Sequence, residues 1–115
     1  FGDVSDVTIS NLTVTPDPIA IGDDLHFSFD LLLQADQPKK LRLEYAIHYL
    51  KANGKHSKKV FQISEREVTP NKPHKLTSKQ SFRNMSTRKH YPGPHKIDIH
   101  VNGIAKAHAE FMVTD

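Results

Sequence analysis

Residues 80–103 read QSFRNMSTRKHYPGPHKIDIHVNG and carry the signals that decide the fold. A basic, hydroxyl-rich segment leads into a Tyr-Pro-Gly turn, and an alternating apolar and polar run then ends at an Asn-Gly pair. Alternation with a period of two is typical of a half-buried strand, and Asn-Gly is a strong hairpin signal. This stretch therefore predicts a strand over 95–101, a hairpin after it and a group of exposed cations before it.

The same period of two continues outward from this stretch, and no long segment keeps the helical period. The predicted strands are 7–14, with a bulge at Ser10-Asn11, and 24–33, 40–51, 58–64, 74–82, 95–101 and 104–113. Short strands separated by turn signals predict an all-β, seven-stranded antiparallel sandwich of immunoglobulin or fibronectin-III type. We expect residues 1–115 to form one such domain, excised from a longer chain because the sequence begins at Phe1 rather than Met.

The last hairpin admits two registers. A two-residue Asn-Gly loop would set Ile99 beside Lys106, which mixes core and solvent on one face. A three-residue loop over 101–103, with a G1 bulge, would instead pair Ile99 with Ala105 and Asp98 with Lys106. We expect the second arrangement, because a one-residue slip turns every side chain of the strand to the other face.

Composition excludes several classes of protein. The chain has no cysteine, which rules out disulfides and thiolate metal sites and suits a reducing compartment, so we expect a cytoplasmic protein. The longest apolar run, 31–33, is far shorter than the roughly 20 residues that a membrane helix requires. No glycine-rich phosphate loop is present, and we expect no cofactor and no small-molecule substrate.

No catalytic or metal-binding pattern is visible either. The eight histidines form no HExxH motif, and His95 and His100 differ by five, so they face opposite sides of a strand. None of the serines lies in a Gly-x-Ser-x-Gly elbow. We therefore predict no catalytic residue and no metal ligand, and we expect the histidines to be exposed or at strand edges.

Charge is distributed unevenly along the chain. Residues 1–38 contain seven acids and no Lys or Arg, whereas residues 39–115 contain all sixteen Lys and Arg and six acids. Such asymmetry can mark a face that binds a polyanion. It is also compatible with a solvated surface on which the two halves of the chain pair, and the sequence leaves both interpretations open.

Two groups of cations are the candidate contact residues. The first, named here the basic corner, consists of Lys79, Arg83, Arg88, Lys89 and His90; the second, the basic hairpin, consists of Lys51, Lys55, Lys58 and Lys59. Such cations can contact a nucleic-acid backbone without reading its sequence, and Ser86 and Thr87 add hydroxyl donors. Duplex is favoured over single strands because few aromatic residues are available for stacking. Alternatively, the lysines protect edge strands from aggregation, or the arginines bind an acidic neighbouring domain.

Three blocks of sequence resemble a known family. They are 43–54 (LEYAIHYLKANG), 58–61 (KKVF), and 81–83 with 86–93 (SFR and STRKHYPG) leading to 101–103 (VNG). Together they resemble the C-terminal immunoglobulin-like β-sandwich of some bacterial DNA alkylation-repair proteins, in which a HEAT-like repeat glycosylase domain precedes the sandwich. The likeness covers residues 7–113 in layout and is specific over about residues 41–103.

The resemblance implies a non-catalytic accessory domain. In that family the helical-repeat domain binds damaged duplex and excises the alkylated base, so no catalytic residue transfers to this sequence. The implied partners are duplex DNA or the helical-repeat domain of the parent protein, with no role at a membrane. The alternative is an immunoglobulin-like protein–protein interaction module with no nucleic-acid role. A third and less favoured hypothesis is a periplasmic or surface adhesin-like sandwich.

Overall fold

The computed structural model describes residues 3–115, which form two β-sheets packed face to face. The strands are β1 (Val7–Thr15), β2 (Ile19–Ala20), β3 (Asp24–Leu33), β4 (Lys39–Leu50), β5 (His56–Val68), β6 (His74–Ser81), β7 (Gly93–Val101) and β8 (Ile104–Thr114). One sheet has the order β1-β3-β6 and the other the order β2-β8-β7-β4-β5. The predicted all-β sandwich is confirmed. No helix that could cross a membrane occurs among the described residues.

The predicted strand count and the purely antiparallel pairing are wrong at β2. Residues 3–115 contain eight strands, and β2 runs parallel to β8, with Ile19 paired to Val113. Pro16 and Pro18 end β1 because proline donates no backbone hydrogen bond, and the chain then crosses from the three-stranded sheet to the other sheet. Ile19 is fully buried at this crossing. A two-residue strand is too short to show alternation, so the pattern could not reveal it.

The core lies between the inner faces of β3 and β4, as their alternation predicts. The inward residues of β3 are Leu25, Phe27, Phe29, Leu31 and Leu33, and those of β4 are Leu41, Leu43, Tyr45, Ile47 and Tyr49; none is more than 6% exposed. The two rows meet directly, since the ring centroids of Phe27 and Tyr45 are 4.7 Å apart. Truncating one of these large side chains to alanine is expected to cost about 3–5 kcal/mol.

The predicted bulge in β1 is confirmed. The pairing of β1 with β3 shifts between Ser10 and Thr13, and Asn11 has a positive φ of 56°. Its amide Nδ2 donates a hydrogen bond of 2.7 Å to Asp30, which fixes the bulge against the neighbouring strand. The extra residue restores the inward direction for the second half of β1.

The predicted three-residue loop of the last hairpin is wrong. Val101 pairs with Ile104, so the loop has only two residues, Asn102 and Gly103. Their φ values of 50° and 82° are those of a type I′ turn, whose twist matches that of the strands it joins.

The register is corrected inside β8 rather than in the turn. His100 pairs with Ala105 and Ile99 with Ala107, so Lys106 is the extra residue of a bulge. Asp98 consequently lies opposite His108 and not opposite Lys106 as predicted. The inward row of β7 is preserved, because the bulge has the same effect on side-chain direction as the predicted longer loop.

The connections β4–β5 and β6–β7 lie at the same end of the sandwich, which we call the loop end. At this end His56, the first residue of β5, makes a 2.9 Å contact between its Nε2 and the carbonyl of Pro94 in β7. The β2–β3 turn reaches the same end, because Asp24 pairs with Ser81. Both groups of predicted contact residues are therefore brought to one end.

Gly93 provides a test of the packing at the loop end. Its φ is +136°, and a Cβ added there would approach Cδ2 of Leu50 more closely than van der Waals contact allows. In Gly54, with φ +82°, an added Cβ would meet no atom within 4 Å. We expect Gly54→Ala to cost about 1–2 kcal/mol from backbone strain alone and Gly93→Ala to cost more, as measured by urea denaturation. An equal or smaller loss in Gly93→Ala would contradict the close approach to Leu50.

Candidate nucleic-acid interface

The basic corner is built on the end of β6. Phe82 follows that strand and is fully buried. Two backbone hydrogen bonds of 2.9 Å hold it: the Phe82 N–H donates to the Asp23 carbonyl, and the Gly22 N–H donates to the Phe82 carbonyl. Beyond it, Met85 and Arg88 exchange two backbone hydrogen bonds of 2.8 and 3.1 Å. The corner is thus a turn with fixed backbone.

A cluster of rings lies beneath this turn. It contains Tyr49, Phe82, His90, His95 and Phe111. Phe82 is at its centre, with ring centroids 4.8 Å from His90, 5.8 Å from Tyr49 and 5.7 Å from Phe111. We refer to these five residues as the aromatic cage, and it closes the core at the loop end.

His90 lies inside the aromatic cage, so the expectation of an exposed His90 is wrong. Its side chain is only 3% exposed, and its backbone N–H donates to Oδ1 of Asn84 at 2.7 Å. Burial lowers the pKa of His90. The hydrogen bond to the Arg83 carbonyl raises this pKa in part, whereas the charge of Arg88 lowers it further. A neutral, buried imidazole does not contribute to the positive surface.

His95 is neutral for the same reason. It is 2% exposed, and burial lowers its pKa despite a hydrogen bond to the Gly93 carbonyl. The ring nitrogens have complementary partners, since Nδ1 lies 3.1 Å from that carbonyl and the Leu50 N–H donates to Nε2 at 3.4 Å. This arrangement fits the neutral tautomer with the proton on Nδ1. The prediction that the histidines are exposed or at strand edges is therefore wrong for His90 and His95, and also for His100, which is 8% exposed on the central strand β7.

The remaining members of the basic corner differ in their availability. Arg83 and Lys89 are exposed, and Lys89 Nζ lies 5.7 Å from the ring centroid of Tyr91. Arg88 is half-buried, with its guanidinium carbon 4.2 Å from the ring centroid of Tyr49. We call Arg83, Arg88 and Lys89 the corner cations.

Lys79 is partly neutralised. Its Nζ lies 3.6 Å from a carboxylate oxygen of Asp24, in the acidic first third of the chain. The Lys79 side chain is 67% exposed and that of Asp24 40%, so solvent screens the pair and it contributes little to stability, about 0–1 kcal/mol. The pair nevertheless offsets the charge of Lys79 and so separates it from the corner cations.

All four lysines of the basic hairpin are exposed, as predicted. The hairpin turn is closed by a 2.8 Å bond from the Lys51 N–H to the Lys55 carbonyl, and Asn53 Oδ1 accepts from the Lys55 N–H at 3.0 Å. Lys58 and Lys59 are adjacent on edge strand β5 and so point to opposite faces of the sheet. The hairpin therefore spreads its charge around the loop end.

The Arg88–Tyr49 contact joins the two basic groups. Tyr49 precedes the first lysine of the basic hairpin by two residues, so the corner cations lie beside the hairpin. Residues 45–64 and 75–97 contain ten Lys or Arg and no Asp or Glu. The β2–β3 turn brings Asp23 and Asp24 to the same end, and Asp24 offsets the charge of Lys79 there.

A polar cluster that the sequence did not reveal lies on the outer face of the five-stranded sheet. Asp98 is 8% exposed and has His48 Nε2 at 2.7 Å, His100 Nε2 at 3.7 Å and Lys96 Nζ at 4.0 Å. Burial would raise the pKa of Asp98, but the hydrogen bond and charge of His48, together with Lys96 and His100, lower it overall. The strand alternation already placed Lys96, Asp98 and His100 on one face; the neighbouring His48 required the strand order.

Within residues 3–115 no group of three or more His, Asp or Glu side chains could hold a metal ion. A groove of about 530 Å³ on the outer face of the three-stranded sheet is lined by Thr13, Thr15, Ser28 and Thr77, with Lys79 and His26 at one side. Its hydroxyl groups are suited to hydrogen bonds with phosphate or sugar oxygens.

Comparison with known proteins identifies the family. The family model described as "Uncharacterised protein YhaZ, C-terminal Ig-like domain" matches residues 8–115. The chain belongs to this family. YhaZ of Bacillus subtilis (strain 168) is 37% identical over 113 residues, which are 98% of this chain and 31% of the relative. The chain thus spans under a third of the length of that relative.

Solved structures confirm the resemblance to DNA alkylation-repair proteins. Pseudomonas fluorescens alkylpurine DNA glycosylase AlkC, bound to DNA containing an abasic site analog, matches with a TM-score of 0.92 and 37% identity, over 96% of this chain and 31% of AlkC. A β-glucosidase from Listeria innocua matches with a TM-score of 0.71 and 16% identity, over 95% of this chain and 16% of the enzyme. At that identity the second match shows the fold alone.

The buried histidines make stability depend on pH. Burial holds the pKa values of His90 and His95 below the ordinary 6.5, so below pH 6.5 the unfolded chain binds protons that the folded domain does not. We expect these two residues to lower the free energy of unfolding as pH falls from 7.5 to 5. Urea denaturation at each pH should show a shallower loss in His90→Gln/His95→Gln than in the parent.

The matched control is His26→Gln, which replaces an exposed histidine and should leave the pH dependence unchanged. The lowered pKa of Asp98 acts in a separate window, since its contribution is lost only as pH falls below its ordinary value of 3.8. A double variant that loses as much stability as the parent between pH 7.5 and 5 would show that the buried histidines are not responsible.

Proposed function

We propose that this chain is a non-catalytic accessory domain of a DNA alkylation-repair protein and that its loop end contacts the phosphate backbone of duplex DNA. The observation that supports the proposal is the contact between the Arg88 guanidinium and the Tyr49 ring, which brings the corner cations beside the basic hairpin. It places Arg83, Lys89 and the hairpin lysines at one end, with no acid in either segment. The DNA-bound state of the similar AlkC structure supports the same assignment.

Duplex DNA fits this surface better than single strands do. Proteins that bind single strands stack bases on exposed aromatic side chains. Within residues 3–115 every Phe and Tyr is buried or half-buried, and the aromatic cage is covered by the corner. Cations without stacking platforms favour phosphate contacts that are independent of sequence. We therefore expect affinity to depend strongly on salt and weakly on base composition.

Removal of the corner cations tests this proposal. We expect Arg83→Ala/Arg88→Ala/Lys89→Ala to weaken binding to a fluorescein-labelled duplex and to reduce the slope of log K against log salt concentration by about 2–3, because each lost phosphate contact removes about 0.9. Fluorescence anisotropy over a KCl series gives both quantities. Circular dichroism on the same samples confirms that the variant is folded.

Lys40→Ala/Lys72→Ala/Lys106→Ala is the matched control. It removes the same charge from the end of the sandwich opposite the corner, near the starts of β4, β6 and β8. We expect it to retain most of the affinity and the slope. Equal losses in the two triple variants, or binding that is insensitive to salt, would contradict a DNA surface at the loop end and favour a protein–protein interaction module.

A further inference from the structure

Tyr49 lies under the loop end in an unusual position for a core residue. Its side chain is only 5% exposed, and its hydroxyl is buried without a hydrogen-bond partner among the described residues. Burial raises the pKa of Tyr49 to about 12, so the ring is neutral. A phenylalanine would fill the same space without burying a hydroxyl, so hydrogen bonding by the hydroxyl is not the role of this residue. The face of the Tyr49 ring, in contrast, contacts a group outside the core.

That partner is Arg88. Its guanidinium carbon lies 4.2 Å from the ring centroid, well inside the range of about 6 Å in which a cation is attracted to an aromatic face. The backbone of Arg88 is fixed by its two hydrogen bonds to Met85, so the side chain is held at both ends. The other corner cations, Arg83 and Lys89, are exposed.

The ring itself is immobilised from behind. Its centroid lies 5.8 Å from Phe82, 5.5 Å from His90 and 6.2 Å from His95. Close packing of this kind restricts a side chain to one rotamer. Because the platform is fixed, the position of the guanidinium above it is fixed as well.

We propose that Tyr49 is a positioning residue that holds Arg88 in the pose in which it contacts a DNA phosphate. This inference rests on the proposed function and assigns the buried aromatic cage a role in it. A guanidinium stacked on a ring keeps its N–H donors in its own plane, where they can reach two phosphate oxygens. Since Arg88 is ordered before binding, less side-chain entropy is lost when the complex forms.

A double-mutant cycle tests the coupling. We expect Tyr49→Leu to weaken duplex binding about 2- to 10-fold, the range for one long side chain that must be ordered on binding, and Tyr49→Phe to stay within about 2-fold of the parent. In an Arg88→Ala background, Tyr49→Leu should cause no further loss, because it acts only through Arg88. Affinity is measured by anisotropy with the same labelled duplex.

A second readout needs no DNA. The side-chain protons of Arg88 should show an upfield ring-current shift in the nuclear magnetic resonance spectrum of the free domain. We expect the shift to remain in Tyr49→Phe and to disappear in Tyr49→Leu. A residue that merely filled the core would not couple its ring to Arg88 in this way.

Arg88→Lys keeps the test decisive if Tyr49→Leu fails to fold. The lysine keeps the charge but replaces the planar group, so we expect weaker binding with an unchanged salt slope. Full affinity in Arg88→Lys would overturn the inference, and so would independent, additive losses from Tyr49→Leu and Arg88→Ala. A parent domain that does not bind duplex at all would overturn the proposed function instead, and the ring-current shift would still decide whether Tyr49 positions Arg88.

Discussion

Burial of Phe82 is the interaction on which the loop end depends. It is the first residue after β6, and its ring occupies the centre of the aromatic cage while its backbone is bonded to the β2–β3 turn. A buried aromatic side chain contributes a large share of local stability, about 1.5–3 kcal/mol from area alone. This anchor sets where the chain leaves the sheet and so directs the following residues over the end of the core. The positions of the corner cations follow from it.

The antiparallel arrangement of the strands brings two basic segments together that are separate in the sequence. Because neighbouring strands β4, β5 and β7 are antiparallel, the hairpin after β4 and the connection before β7 must meet at the same end. The two acid-free segments, 45–64 and 75–97, are separated in sequence by residues 65–74, which include the end of β5 and the loop after it, yet the fold brings them together. Repulsion among these cations opposes folding, and solvent exposure of most of them keeps that repulsion small.

Local patterns predicted the parts of the fold that depend on neighbouring residues. The alternation in β3 and β4 fixed which side chains are buried, and the Asn-Gly pair located the last turn. The two-residue strand β2 and the bulge at Lys106 were not predictable in this way, because each is set by its pairing partner in β7 or β8. Register is a property of two strands at once, so a single strand does not determine it.

The candidate site was predictable in position but not in composition. The cations of the basic hairpin are exposed as the sequence indicated, since they flank a turn. The corner is different, because Lys79 is paired with Asp24, His90 is buried and Arg88 covers Tyr49. Two of these partners, Asp24 and Tyr49, are distant in sequence, so counting charges along the chain overestimates those available. Packing of the core beneath the corner thus decides how many of its cations are exposed, and it holds the Arg88 side chain against Tyr49.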